Sequence, residues 1–119
     1  FIQYTHARIC SILRKATVEF GPADITTDLV PSAKEIRLIK LLGTFPGKVA
    51  EAGAALSPAV LANYAYDLAK EFNQYYHETP ILREENQGLL KFRLELISVM
   101  ARTLRSAMGI LGIELPERM

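Results

Sequence analysis

A chain of 119 residues that is 50% hydrophobic and 23% charged, with one Cys and no Trp, is the size of one domain, able to bury about two thirds of its unfolded surface without disulfides or metal. The lone Cys10 excludes an internal disulfide; the composition excludes disordered, collagen-like and cysteine-scaffold classes, and no apolar run reaches the ~18 residues of a membrane-spanning helix. A net charge of +1 supplies no global field for nucleic acid, so any such role must rest on a local patch.

Phe1 to Lys15 holds no Gly or Pro, and Ile2, His6, Ile9 and Leu13 fall at spacings of four, three and four, which predicts a helix with one apolar face. Ala16 to Pro31 loses that period and collects Gly21-Pro22, Asp24, Thr26-Thr27, Asp28 and Pro31, so a long connection is expected, either functional or a tolerated surface insertion. Ser32 with Glu35 is a capping-box signature for a helix continued by Ile36, Ile39 and Leu42 to Gly43. Pro46 can open a short helix to about Ala55. Ser57-Pro58 is a further start, with Ser57 as N-cap, for a helix to about His77 whose face carries Leu61, Ala65, Leu68, Phe72 and Tyr76.

Glu78 to Asn86 reads as a loop of mixed charge. From Gln87 to Leu111 the stripe Leu90, Leu94, Ile97, Ala101, Leu104, Met108 and Leu111, broadened by Leu89, Leu96 and Met100, predicts the longest helix and the centre of the core. Gly112 suits a left-handed C-cap, and Pro116 keeps the tail Ile113 to Met119 from continuing it. With no strand signal, the expected fold is an all-α bundle of four long helices plus one short helix.

Catalytic chemistry is missing from the pattern. Two His and one Cys do not make a metal site by spacing, and the glycines never gather into a phosphate-cradling loop. His6, on the apolar stripe, reads as a structural histidine, and a Cys10–His6 nucleophile pair has neither an orienting third group nor an oxyanion site. Two stretches could bind. Tyr4, Arg8, Ser11 and Lys15 recur along a second stripe of the first helix, a mixture suited to single-stranded nucleic acid, where rings and guanidinium planes stack on bases and cations meet phosphates. Phe72-Asn73-Gln74-Tyr75-Tyr76-His77 crowds three rings, two amides and an imidazole into one helix end; Phe72 and Tyr76 fall on the core face, so at least one of Tyr75 and His77 must point away from it.

Three separated segments carry a family resemblance: Tyr4-Thr5-His6-Ala7-Arg8-Ile9, Leu61-Ala62-Asn63-Tyr64 through to Tyr75-Tyr76-His77, and the ending Leu111-Gly112-Ile113-Glu114-Leu115-Pro116-Glu117-Arg118-Met119. In this order and spacing the whole chain resembles the C-terminal anticodon-binding (DALR) domain of arginyl-tRNA synthetases, departing from the common pattern at Thr5, where Ala is usual. The resemblance implies an enzyme that activates arginine with ATP and Mg and esterifies it to its tRNA in a Rossmann-type catalytic domain absent here. This chain would be an excised C-terminal fragment that carries no cofactor and no catalytic residue. Its implied partners are the anticodon stem-loop of an arginine tRNA and the catalytic domain of the same chain, with no membrane, in the cytoplasm.

The positions that carry over are Tyr4 and Arg8 on the first helix, Tyr76 at the end of the fourth, and Met119. The two rings would stack on or wedge against unstacked loop bases, Arg8 would meet a phosphate or base edge, and Met119 would pack its thioether on a base. Arg14 and Lys15 are phosphate candidates on charge alone. Arginine anticodons share a central cytosine, whose readout needs donors to O2 and N3 and an acceptor for its amino group. The rival readings are a helical protein-interaction bundle without nucleic-acid binding and the anticodon domain of another class I synthetase. The first is favoured if Tyr4, Arg8, Tyr76 and Met119 lie apart or point inward.

Overall fold

The computed structural model of the chain describes residues 1–26 and 28–119. Five α-helices follow in order: α1 (Ile2–Lys15), α2 (Ala33–Gly43), α3 (Phe45–Ala55), α4 (Pro58–Glu78) and α5 (Gln87–Ile110), with 3-10 turns at Pro22–Asp24 and Ile81–Arg83. Among the described residues there is no strand, and the all-α bundle stands as expected. The helix named short, α3, and α2 are both 11 residues, because Pro46 restarts the chain as soon as α2 has ended. No helix of the described residues is long and apolar enough to cross a membrane.

The period of α5 explains the architecture. Its apolar stripe widens mid-helix until Leu94, Leu96, Ile97, Met100 and Leu104 are all shut from solvent, which only a helix with neighbours on several sides can satisfy. α1 and α4 pack on α5 and on each other, while α2 and α3 lie against α4. Ile9, Leu38, Leu68, Phe72 and Leu94 meet in a single core. The connection between α1 and α2 is also packed down: Val18, Phe20 and Leu29 rest against the core, and the Gly21 amide donates to the Asp24 carboxylate at 2.8 Å. Thr27, part of the turn-rich reading of this segment, lies outside the described residues.

Three sequence expectations change. On α2 the buried positions are Glu35 and Leu38, whereas Ile36 and Ile39 are about 40% exposed, so the buried face is offset by one residue from the apolar spacing. On α4 Tyr75 is fully buried and Tyr76 is 37% exposed, so the core face passes through the first ring and leaves the second at its edge. Ser57 stands at the N-cap of α4 but its side chain makes no capping bond; its amide instead closes the end of α3 by donating to the Ala52 carbonyl at 3.0 Å.

Glu35 ties the buried faces of α2 and α4 together. The Ser32 amide donates to its Oε1 at 2.7 Å and the Glu35 amide to Ser32 Oγ at 3.2 Å, completing the capping box. Oε2 accepts from the Tyr75 hydroxyl at 2.7 Å and from Arg93 Nε at 2.8 Å, and Arg93 Nη1 reaches Glu84 at 3.0 Å. Burial pushes the Glu35 carboxyl upward, but the Ser32 amide, the Tyr75 hydroxyl and the Arg93 guanidinium outweigh it and hold it below its ordinary value. Burial, then the carboxylate it donates to, pushes the Tyr75 phenol far above the ordinary tyrosine range, so it is a fixed donor.

Candidate nucleic-acid interface

α1 crosses α4 where Thr5 and Asn73 meet. Asn73 Nδ2 donates to Thr5 Oγ1 at 2.9 Å and to the Ala69 carbonyl at 3.0 Å, leaving its Oδ1 to accept from Arg8 Nη1 at 2.7 Å. Thr5 in turn donates to the Phe1 carbonyl at 3.0 Å. The Thr5 hydroxyl is therefore part of the joint. The Arg8 guanidinium lies 4.8 Å from the Tyr76 ring centroid and 5.5 Å from that of Tyr4, within cation–π range of both. Tyr76 leans on Phe72 at 5.9 Å, and Tyr4 is 58% exposed. Both rings are partly exposed, and the same guanidinium is within reach of each.

The chain end is folded back onto this surface. His6 is fully buried. Its Nδ1 lies 2.8 Å from the Pro116 carbonyl, which only accepts, so Nδ1–H is the donor there, and Arg105 Nη2 approaches Nε2 at 3.4 Å. Arg14 Nη1 donates to the Glu117 carbonyl at 3.1 Å, and Leu115 is buried. His6 is structural, as the sequence suggests, and what it supports is the tail. Cys10, 3.9 Å from both His6 ring nitrogens, is a buried thiol that desolvation pushes up, against partial opposition from Arg105. With both ring nitrogens engaged elsewhere, His6 has no free lone pair to activate it.

All six residues singled out from the sequence line one cleft of about 430 Å³: Tyr4, Arg8, Arg14, Lys15, Tyr76 and Met119, joined by Ala7, Ser11, Ile12 and Arg118. A second cleft continues from Lys15 and Tyr76 toward His77, Pro80, Leu82 and Arg83, and a third from Tyr4 and Arg8 toward Phe1, Asn73 and His77. Along this groove five of the chain's 14 Lys and Arg, namely Arg8, Arg14, Lys15, Arg83 and Arg118, and none of its 13 Asp and Glu, are exposed to a ligand. None of the five takes part in an ion pair among the described residues. The near-zero net charge is thus an average over a one-sided distribution.

Sequence reasoning did not select Asn73 or Arg118. Asn73 had a local signal, since it sits three residues before Tyr76 on the same turn face of α4; Arg118 had none, because its place depends on the tail being pinned by His6 and Arg14. Tyr75 turns inward to Glu35, and His77 is the neighbour that faces outward. Among the described residues no three His, Cys, Asp or Glu side chains converge where a metal ion could sit. A groove of rings and cations without an Asp or Glu side chain offers none of the side-chain carboxylates that usually hold the ion of a Mg-bound nucleotide.

Comparison with known proteins places this surface in context. The DALR anticodon binding domain family matches residues 2–119. The arginine–tRNA ligase of Phocaeicola vulgatus is 53% identical over 122 residues, and that of Bacteroides thetaiotaomicron is 50% identical over 122 residues; each alignment takes in 100% of this chain and 20% of the relative. The arginyl-tRNA synthetase of Thermus thermophilus superposes with a TM-score of 0.87 at 38% identity, over 99% of this chain and 20% of that one. The chain therefore spans about a fifth of the length of the relatives it matches.

Proposed function

The chain belongs to the DALR anticodon-binding domain family, and on that footing we propose that it binds the anticodon stem-loop of an arginine tRNA as one part of a longer arginine–tRNA ligase. The observation that carries the reading is the groove itself: two exposed tyrosines flanking a guanidinium, rimmed by cations and free of Asp and Glu side chains. Single-stranded loops are recognised by stacking of unstacked bases on rings and guanidinium planes, with cations following the phosphates. In this reading Tyr4 and Tyr76 take bases and Arg8 lies between them, while Arg14, Lys15, Arg83 and Arg118 take phosphates. Met119 covers a base with its thioether. Selection of the central cytosine would use donors and acceptors along the groove in the pattern its O2, N3 and amino group require. Activation of arginine with ATP and Mg, and its transfer to tRNA in the cytoplasm, would fall to the remaining four fifths of such a ligase.

Binding of a labelled arginine anticodon stem-loop, followed by fluorescence anisotropy across a salt series, tests this. Affinity should fall linearly on a log–log salt plot, and Lys15→Ala should lower the slope by about 0.7 if the contacted phosphate lies in a single strand. A loop whose central cytosine is replaced should bind several-fold more weakly. Equal binding of the two loops, or no binding by the folded chain, would overturn the reading.

A further inference from the structure

α4 is held from two sides near its C-terminus, and the two grips differ in kind. Toward α1 it presents Asn73 and Tyr76, which meet Thr5 and Arg8. Toward α2 it presents Glu71, Tyr75 and Glu78, spaced four and three apart on one face; they meet Arg37 at 4.0 Å, Glu35 at 2.7 Å and Lys34 at 2.6 Å. The Arg37 and Lys34 pairs are exposed and weakly orienting. The Tyr75–Glu35 bond is buried, charge-assisted and directional, and its acceptor is itself fixed by the Ser32 amide and by Arg93.

Desolvating a carboxylate in a domain this small is costly, and an apolar side chain of similar size at position 35 would fill the space at lower cost. What the carboxylate adds is a fixed rotation of α4 about its own axis. Tyr76 is one residue on from Tyr75, so the ring that flanks Arg8 turns with it. With side chains reaching ~5–6 Å from the axis, a rotation of ~10° moves that ring by about 1 Å. That is enough to open or close a stacking gap.

We propose that Tyr75, anchored on Glu35, is a positioning residue for the RNA face: it sets the rotation of the last turns of α4 and so holds Tyr76 against Arg8. The proposal rests on the RNA-binding reading above and extends it to residues that touch no ligand. Arg93 serves the same end a step further out. Its second bond, to Glu84 at 3.0 Å, ties down the chain just after the Ile81–Arg83 turn, which carries Arg83 into the groove.

The test is a double-mutant cycle on stem-loop affinity. Tyr75→Phe keeps the ring and removes the hydroxyl. It should weaken binding several-fold with the salt slope unchanged, since no phosphate contact is lost, and should add little in a Tyr76→Ala background because it acts through that ring. Glu95→Gln, which takes the charge from a buried carboxylate paired with the exposed Arg102 elsewhere on α5, is the control for general destabilisation and should leave affinity unchanged. Should Tyr75→Phe fail to fold, Glu35→Gln, which retains an acceptor oxygen, takes its place in the cycle. Unchanged affinity in Tyr75→Phe, a loss that persists undiminished in Tyr76→Ala, or an equal loss in Glu95→Gln would overturn the positioning role. Failure of the wild-type chain to bind the RNA would instead overturn the function it serves.

Discussion

The Arg8 guanidinium stands 4.8 Å from the ring centroid of Tyr76 while donating to Asn73 at 2.7 Å, so one side chain joins α1 to α4 and presents a flat cation beside a ring. Its plane is set before any ligand arrives, which removes part of the ordering cost of binding. Arg8→Lys keeps the charge and loses the plane and the fork. The expected result is a salt slope close to wild type with affinity lower by about 1–2 kcal/mol, roughly ten-fold. Anisotropy titrations of both proteins over the same salt range check it, and an affinity unchanged in Arg8→Lys would mean that Arg8 acts through its charge alone, as a phosphate contact does.

Glu35 makes stability depend on pH in a defined direction. Its carboxyl is held below its ordinary value of 4.5 by the Ser32 amide, Tyr75 and Arg93 despite the opposing effect of burial. The unfolded chain therefore takes up this proton first as pH falls. The stabilisation is complete above pH 4.5 and is lost progressively as pH drops from there through the depressed native value. Denaturant unfolding at neutral pH and near pH 3 should show a smaller acid loss in Glu35→Gln than in wild type. At neutral pH the variant should be less stable by about 2–4 kcal/mol, because Arg93 and Tyr75 lose a charged partner inside the bundle.

Leu56 caps α3 with φ 51° and ψ 38° and is 89% exposed. Its amide and that of Ser57 close the helix on Gly53 and Ala52, a geometry in which glycine avoids the clash of a Cβ with the neighbouring carbonyl. An exposed leucine recovers little packing in return. Leu56→Gly should raise stability by about 1 kcal/mol, corresponding to a rise of roughly 3–5 °C in Tm for a chain of this length. A thermal melt decides the matter, and a lower Tm would show that the leucine contributes packing that outweighs its backbone strain.

The helices themselves were legible from local chemistry. Each observed boundary lies within one residue of the position read from punctuation and period: Gly43 ends α2, Pro58 starts α4, and Gly112 adopts φ 79° to end α5. Such signals act over three or four residues and need no knowledge of the rest of the chain. The face of each helix was less legible where a polar group had been taken inside. On α2 the spacing of Ile36 and Ile39 pointed to a face that solvent touches, because nothing local shows that Glu35 has partners on two other helices. On α4 the tandem Tyr75-Tyr76 offered two equivalent rings, and the one taken inside is the one whose hydroxyl meets Glu35.

The site divides in the same way. The residue types on the stripe of α1, the crowded end of α4 and the ending at Met119 were enough to point to an RNA-binding family and to the residues worth naming, since stacking and phosphate contact depend on side-chain chemistry that a sequence states outright. That six of those residues share one cleft, that Arg118 and Arg83 join them, and that the Asp and Glu side chains all lie elsewhere required the tertiary structure. Those facts depend on contacts between residues about a hundred positions apart, His6 with Pro116 and Arg14 with Glu117. Period and punctuation report a residue's neighbours along the chain and carry no information about a tail folding back across it.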